Sequence, residues 1–302
     1  MILIDQTSNI VQIIIDTINT LCSTLFSSID NSIFPILDEM VFIDTSILET
    51  IYIEKILGTS STNGLLILAN ALLVAIVLYY SIKLLFSYYT GTEVQQPTKF
   101  FIRAVIFGII MNSSYFICYQ IISLVSSSTN IILQTSSTLF KKDINFLSLI
   151  NMLNSTLSLE NNSFNIFSLD GLISGVISFG TFNLILSYSL RYIMIKVFVL
   201  LSPFAFLCLI DKNTEWFFKS WCKSFFSLLS LQLLISIILI LPYAINIELN
   251  KGSSTLFNKL SLLGAIYALF KANDFIKDFM GGISTNIQTS LSNVRNIFRN
   301  GV

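Results

Sequence analysis

Apolar residues run along this chain in long uncharged blocks. There are 27 uncharged residues between Lys55 and Lys83, 37 between Arg103 and Lys141, 20 between Asp170 and Arg191, and 24 between Lys223 and Glu248. A bilayer core of about 30 Å takes roughly 20 apolar residues in helical form. All four blocks are long enough, and soluble helices seldom hide on every face. The pattern predicts an all-α, polytopic helical membrane protein with about five spans. The spans are placed at 64–88, 100–125, 171–190, 224–247 and 256–270. The last is the weakest, because Lys259 interrupts it.

Residues 197–210 are uncharged for only 14 positions and hold Pro203. That length suits a re-entrant or interfacial segment better than a crossing. Both ends of the chain show amphipathic helical spacing instead. Ile10, Ile14, Ile18, Leu21 and Leu25 share one face of an N-terminal helix, opposite Gln12, Asp16 and Asn19. Ile283, Ile287, Leu291, Val294 and Phe298 repeat the pattern in the tail. The regions read as follows: 1–62 extracytoplasmic and amphipathic, 63–125 the first two spans, 126–170 a Ser/Asn/Thr-rich extracytoplasmic centre, 171–270 a C-terminal membrane region, and 271–302 a cytoplasmic tail. The opening Met-Ile-Leu-Ile-Asp has no basic stretch, so no removable signal peptide is expected.

Composition agrees with the pattern. Apolar residues make up 54%, charged residues only 11%, and the mean hydropathy is +0.78; soluble domains carry roughly 25% charged residues. Net charge is zero, with no basic tail to hold nucleic acid by itself. There is no histidine, and Cys22, Cys118, Cys208 and Cys222 form no C-x-x-C pair. No metal, cofactor, disulfide framework or catalytic site is expected. No phosphate loop or nucleophile set is visible. The acids avoid the apolar blocks, which argues against an ion-driven pump.

Charge sets the expected orientation. With the N-terminus outside and five spans, twelve Lys and Arg lie inside and five outside. If 197–210 crossed as well, seven would lie inside and ten outside. Cytoplasmic loops concentrate Lys and Arg, so the five-span arrangement in the cytoplasmic membrane is preferred, with the C-terminus inside.

Several residues stand out. Gly171 and Gly175 make a Gly-x-x-x-Gly that lets helices approach closely, within one chain or between subunits. Asn112, Ser113 and Ser114 sit mid-span; they read as hydrogen-bond glue or as the lining of a lumen shared by several copies. Arg191 and Lys196 flank apolar runs and read as cations snorkelling to the interface, or as contacts to lipid phosphate or a partner. Trp221 falls in a polar loop between Lys219 and Lys223, where an indole anchors at headgroup level or docks a cytoplasmic partner.

Residues 191–232, RYIMIKVFVLLSPFAFLCLIDKNTEWFFKSWCKSFFSLLSLQ, resemble the TrbL family. These are polytopic inner-membrane components of conjugative type IV secretion systems, counterparts of the sixth VirB protein. The carriers are Arg191, Pro203, Thr214 before an aromatic pair, Trp221, and Gln232 in the next span. The layout is similar too, although this chain has few glycines and a short tail. The resemblance implies a non-enzymatic channel or scaffold subunit that helps move single-stranded DNA and attached protein across the membrane. It implies homo-oligomers, secretion ATPases and other channel subunits as partners, and transient contact with the transferred DNA. The N-terminal apolar face from Ile10 to Leu25 is the expected oligomer contact. The abundance of Ile and Asn suggests an AT-rich, Gram-positive genome. A solute permease or channel and a holin-like phage membrane protein are the other readings.

Overall fold

The computed structural model describes residues 36–49, 51–58, 64–91, 96–149, 152, 169–249 and 255–280, together with Thr17 and Thr20. The elements are α1 (Ile51–Leu57), α2 (Leu65–Thr90), α3 (Pro97–Asn112), α4 (Ser114–Phe140), α5 (Leu169–Leu207), α6 (Glu215–Leu249) and α7 (Thr255–Met280), with a short 3-10 turn at Thr45–Ile47. Among the described residues there is no strand. The protein is an all-helical membrane protein. Four of its helices are long and apolar enough to cross a bilayer: Leu65–Thr90, Ser114–Phe140, Phe182–Leu207 and Glu215–Ile245.

These four correspond to four of the five expected spans, but their limits differ. The expected second span breaks at a single residue, Ser113, and the crossing-length helix is the part after it. α4 runs on to Phe140, well into the Ser/Thr-rich stretch. Its hydroxyls donate back to carbonyls of the preceding turn: Ser128 to Leu124 (2.8 Å), Thr129 to Val125 (3.0 Å), Ser136 to Ile132 (2.7 Å) and Thr138 to Gln134 (2.8 Å). A hydroxyl satisfied within its own helix costs little in hydrocarbon. α4 ends at Lys141 in the left-handed conformation (φ 52°).

Residues 197–207 form no separate dip. They are the last turns of a continuous 39-residue α5. Pro203 cannot donate to the Val199 carbonyl four residues back. The Ser202 hydroxyl donates to that same carbonyl at 2.7 Å, so the helix passes the proline without an orphaned acceptor. The stretch 256–270 lies within α7, which is not among the four crossing-length helices.

Side-chain pairs set the helix directions. Tyr80 stacks on Phe100 at 3.7 Å and Asn70 meets Asn112, so α2 and α3 form an antiparallel hairpin. Thr129 meets Gln232 and Phe140 meets Tyr243, so α4 and α6 run in parallel. Arg191 meets Leu228, and Phe198 meets Trp221, so α5 runs against α6. The α2–α3 hairpin packs on α5, and α7 packs mainly along α6. At Gly180 of α5, an added Cβ would stand 1.9 Å from the ring of Phe270 in α7.

Candidate functional site

The polar centre of the fold is built on Arg191. Its side chain is 0% exposed. Its Nε donates to the Leu228 carbonyl (2.7 Å), one terminal nitrogen to the Val41 carbonyl (2.9 Å), and the other to Gln232 Oε1 (3.2 Å). The Gln232 amide donates to the Ile43 carbonyl and to Thr129 Oγ1, each at 3.3 Å. No carboxylate stands within ion-pair distance of Arg191 among the described residues. The snorkelling reading of Arg191 is therefore corrected: the guanidinium points into the bundle and is neutralised by carbonyl dipoles. Lys196 lies over the ring of Tyr192, 4.5 Å from its centroid, and is only partly buried.

The acceptors explain the arrangement. A helical stretch at 36–41 ends at Val41, followed by a bend at Phe42 and irregular chain to Asp44. Carbonyls released at a helix end need donors when water is absent. Arg191 and Gln232 supply them. A cation near a helix C-terminus is favourable as well. Counted along their crossing-length helices, Arg191 is the tenth of 26 residues, Thr129 the sixteenth of 27 and Gln232 the eighteenth of 31. The three meet near the middle of their helices, and residues 41–43 lie at that height. Leu37, Val41, Ile43, Ile47 and Leu48 are all buried there. The segment is fastened at both ends too. Asp38 Oδ1 accepts from the Phe146 N–H (2.9 Å), and the Leu48 carbonyl accepts from the Tyr115 hydroxyl (3.2 Å). The expectation for 1–62 was an extracytoplasmic amphipathic region; the part from 37 to 48 is packed among α4, α5 and α6.

Burial pushes the Asp38 carboxyl up to about 6, against a smaller opposing effect from the N–H groups of Phe146 and Leu147. A carboxyl raised in the folded state favours folding at low pH. Its contribution is complete below the unfolded value of 3.8 and is lost as pH rises through about 6. Attachment of segment 36–48 should therefore tighten between pH 7 and pH 4. Proteolysis within this segment should slow over that range, and Asp38→Asn, which keeps an oxygen acceptor, should flatten the dependence.

The other predicted residues are distributed as follows. Trp221 lies inside α6, is 5% exposed, and donates from Nε1 to the Phe198 carbonyl at 3.0 Å. The loop reading is corrected, because α6 already begins at Glu215 and the ring packs against Phe206, Phe218 and Phe225. That burial leaves the indole neither free for headgroups nor free as a docking point. Thr214 stands in the preceding loop, its hydroxyl donating to the Cys208 carbonyl at 2.7 Å. Pro203 is buried within α5. Gly171 and Gly175 lie near the start of α5, and their surroundings fall outside the described residues. So do Ile10, Ile14, Ile18, Leu21 and Leu25.

Asn112 forms a reciprocal amide pair with Asn70 (3.0 and 3.1 Å), and each amide also donates to a carbonyl of its own helix. This is the glue reading of Asn112, joining α2 to α3. Ser113 is exposed at the helix break, and Ser114 is buried with no partner for its hydroxyl among the described residues. Single Asn70→Leu or Asn112→Leu changes should each cost about 1 kcal/mol, and the double change should show coupling of roughly 0.6 kcal/mol in a double-mutant cycle.

Sequence reasoning found Arg191 and Gln232 but not Val41, Ile43 or Asp38. The missed partners are mostly backbone carbonyls, which every residue carries. Cys118, Cys208 and Cys222 are free thiols, and the described residues hold no cluster suited to a metal ion. Comparison with protein-family models, curated proteins and solved structures finds no match to this chain.

Proposed function

We propose that this protein is a channel or scaffold subunit of a conjugative type IV secretion system. In this role it helps single-stranded DNA and attached protein cross the cytoplasmic membrane. The observation that carries the reading is the behaviour of the five TrbL-like residues. They are spread over 42 positions, yet Arg191 and Gln232 bond directly (3.2 Å), Trp221 ties α6 to the Phe198 carbonyl of α5, and Pro203 and Thr214 shape the end of α5 and the turn after it. All five lie on the α5–α6 hairpin or the turn that joins its helices, and of the five Arg191 and Gln232 bond each other.

The role is that of a positioning scaffold, with no bond made or broken by the chain. The protein acts with the ATPases and other membrane subunits of the machine. It works as a homo-oligomer, because a passage for nucleic acid is too wide for a single small bundle and cyclic assembly is the common solution. Ser113 is exposed at the break between α3 and α4, where a polar group of a second copy would find a partner. Cells carrying the mobile element with this gene deleted should lose donor-to-recipient DNA transfer, and the gene supplied in trans should restore it. Undiminished transfer from the deletion strain would overturn the reading.

A further inference from the structure

At the end of the bundle where α5 gives way to α6, a cavity of about 320 Å³ opens between α2, α3 and the loop at 211–213. Its cationic lining is Lys83 from α2 and Lys212 from the loop. Its floor is the stacked pair Tyr80 and Phe100, both buried, and its rim carries the exposed Tyr79. Two crossing-length helices stop at this loop, Phe182–Leu207 and Glu215–Ile245. The cavity therefore opens at a membrane boundary.

The lining carries two lysines against one carboxylate, Asp211, which accepts from the Asn213 N–H at 3.1 Å, so the cavity keeps a net positive charge. Neither Lys83 nor Lys212 has a carboxylate within ion-pair distance among the described residues. Lys83 is also the nineteenth of the 26 residues of a crossing-length helix. A cation at that depth is costly unless it reaches water or meets an anion. The anion abundant at that level of a bilayer is lipid phosphate, and anionic leaflets attract lysines placed at their surface. The apolar floor next to the two ammonium groups suits an amphiphile better than a fully hydrated ion.

We propose that this cavity binds the phosphate group of an anionic membrane lipid, held by Lys83 and Lys212 with the upper acyl chain against Tyr80 and Phe100. Phosphate is the shared chemistry, and the lipid is its source. The test uses the full-length protein in detergent, with lipid adducts counted by native mass measurement. Phosphatidylglycerol should be retained over phosphatidylcholine at equal concentration. The double variant Lys83→Gln with Lys212→Gln should lose roughly tenfold or more of that retention, since each lysine near an anionic surface contributes several-fold. The exposed Lys142→Gln, at the far end of α4, should leave it unchanged. Equal retention of the two lipids, or equal retention by wild type and the double variant, would overturn the site. Displacement of the lipid by millimolar inorganic phosphate would overturn the lipid source.

Discussion

Replacing Arg191 by Lys should destabilise the protein more than replacing it by Leu. The three bonds from the guanidinium end on carbonyl and amide oxygens that lie in different directions. One lysine ammonium cannot reach all of them, and a buried cation left short of acceptors costs about 3–5 kcal/mol. Leu removes the charge together with its desolvation cost. It leaves the Val41 carbonyl and Gln232 Oε1 without this donor, a loss of about 1–3 kcal/mol each, which Lys shares for the acceptors its ammonium cannot reach. The Leu228 carbonyl lies inside α6, where the helix ladder still uses it. Unfolding of the two variants in detergent gives the order directly. In both, proteolysis should become faster within residues 36–48. A snorkelling arginine would give the opposite order, because Lys reaches an interface as well as Arg does. An Arg191→Lys variant as stable as wild type would remove the buried centre from the account.

The second large effect should appear at Gly180, where helix propensity and packing oppose each other. Ala in place of Gly inside a helix is worth about 1 kcal/mol in favour of the variant. Here the new methyl would fall 1.9 Å from Cζ and 2.2 Å from Cε2 of Phe270. Moving the ring, and α7 with it, costs about 1–3 kcal/mol. Gly180→Ala should therefore destabilise the wild-type background. In a Phe270→Ala background the same change should stabilise, since the obstacle is gone and the propensity gain remains. The sign reversal, read from thermal unfolding of the four proteins, is the signature of direct contact between α5 and α7. Destabilisation of equal size in both backgrounds would place the cause elsewhere.

The apolar blocks made the membrane class and four crossing-length helices legible in the sequence. Their limits were less legible, for local reasons. Hydroxyl-rich sequence after Ser126 looks polar in one dimension, yet Ser128, Thr129, Ser136 and Thr138 spend their donors on their own helix. Pro203 looks like a break, yet the hydroxyl of Ser202 covers the carbonyl that the proline leaves. Arg191 looks like the end of a span because charge usually marks one. Its acceptors at Val41 and Leu228 are main-chain atoms, 150 and 37 residues away in sequence, and no side-chain pattern announces them. Trp221 looked exposed because lysines surround it in sequence, but helical spacing turns it inward. Asn112 was the clearer case: an amide in an apolar block needs a partner, and Asn70 sits opposite on the adjacent helix.

The arrangement at the centre places residues 41–43 at the middle height of three crossing-length helices, and one labelling experiment tests that placement most directly. The four native cysteines are replaced, and single cysteines are introduced at Phe42 and, as a reference at the exposed end of α4, at Lys141. Both proteins are reconstituted into lipid vesicles and treated with a membrane-impermeant thiol reagent on both sides. Labelling should be rapid at Lys141→Cys, slight or absent at Phe42→Cys, and unmasked at Phe42→Cys when Arg191→Lys is added. Phe42→Cys labelling as fast as Lys141→Cys while Arg191 is intact would contradict that placement.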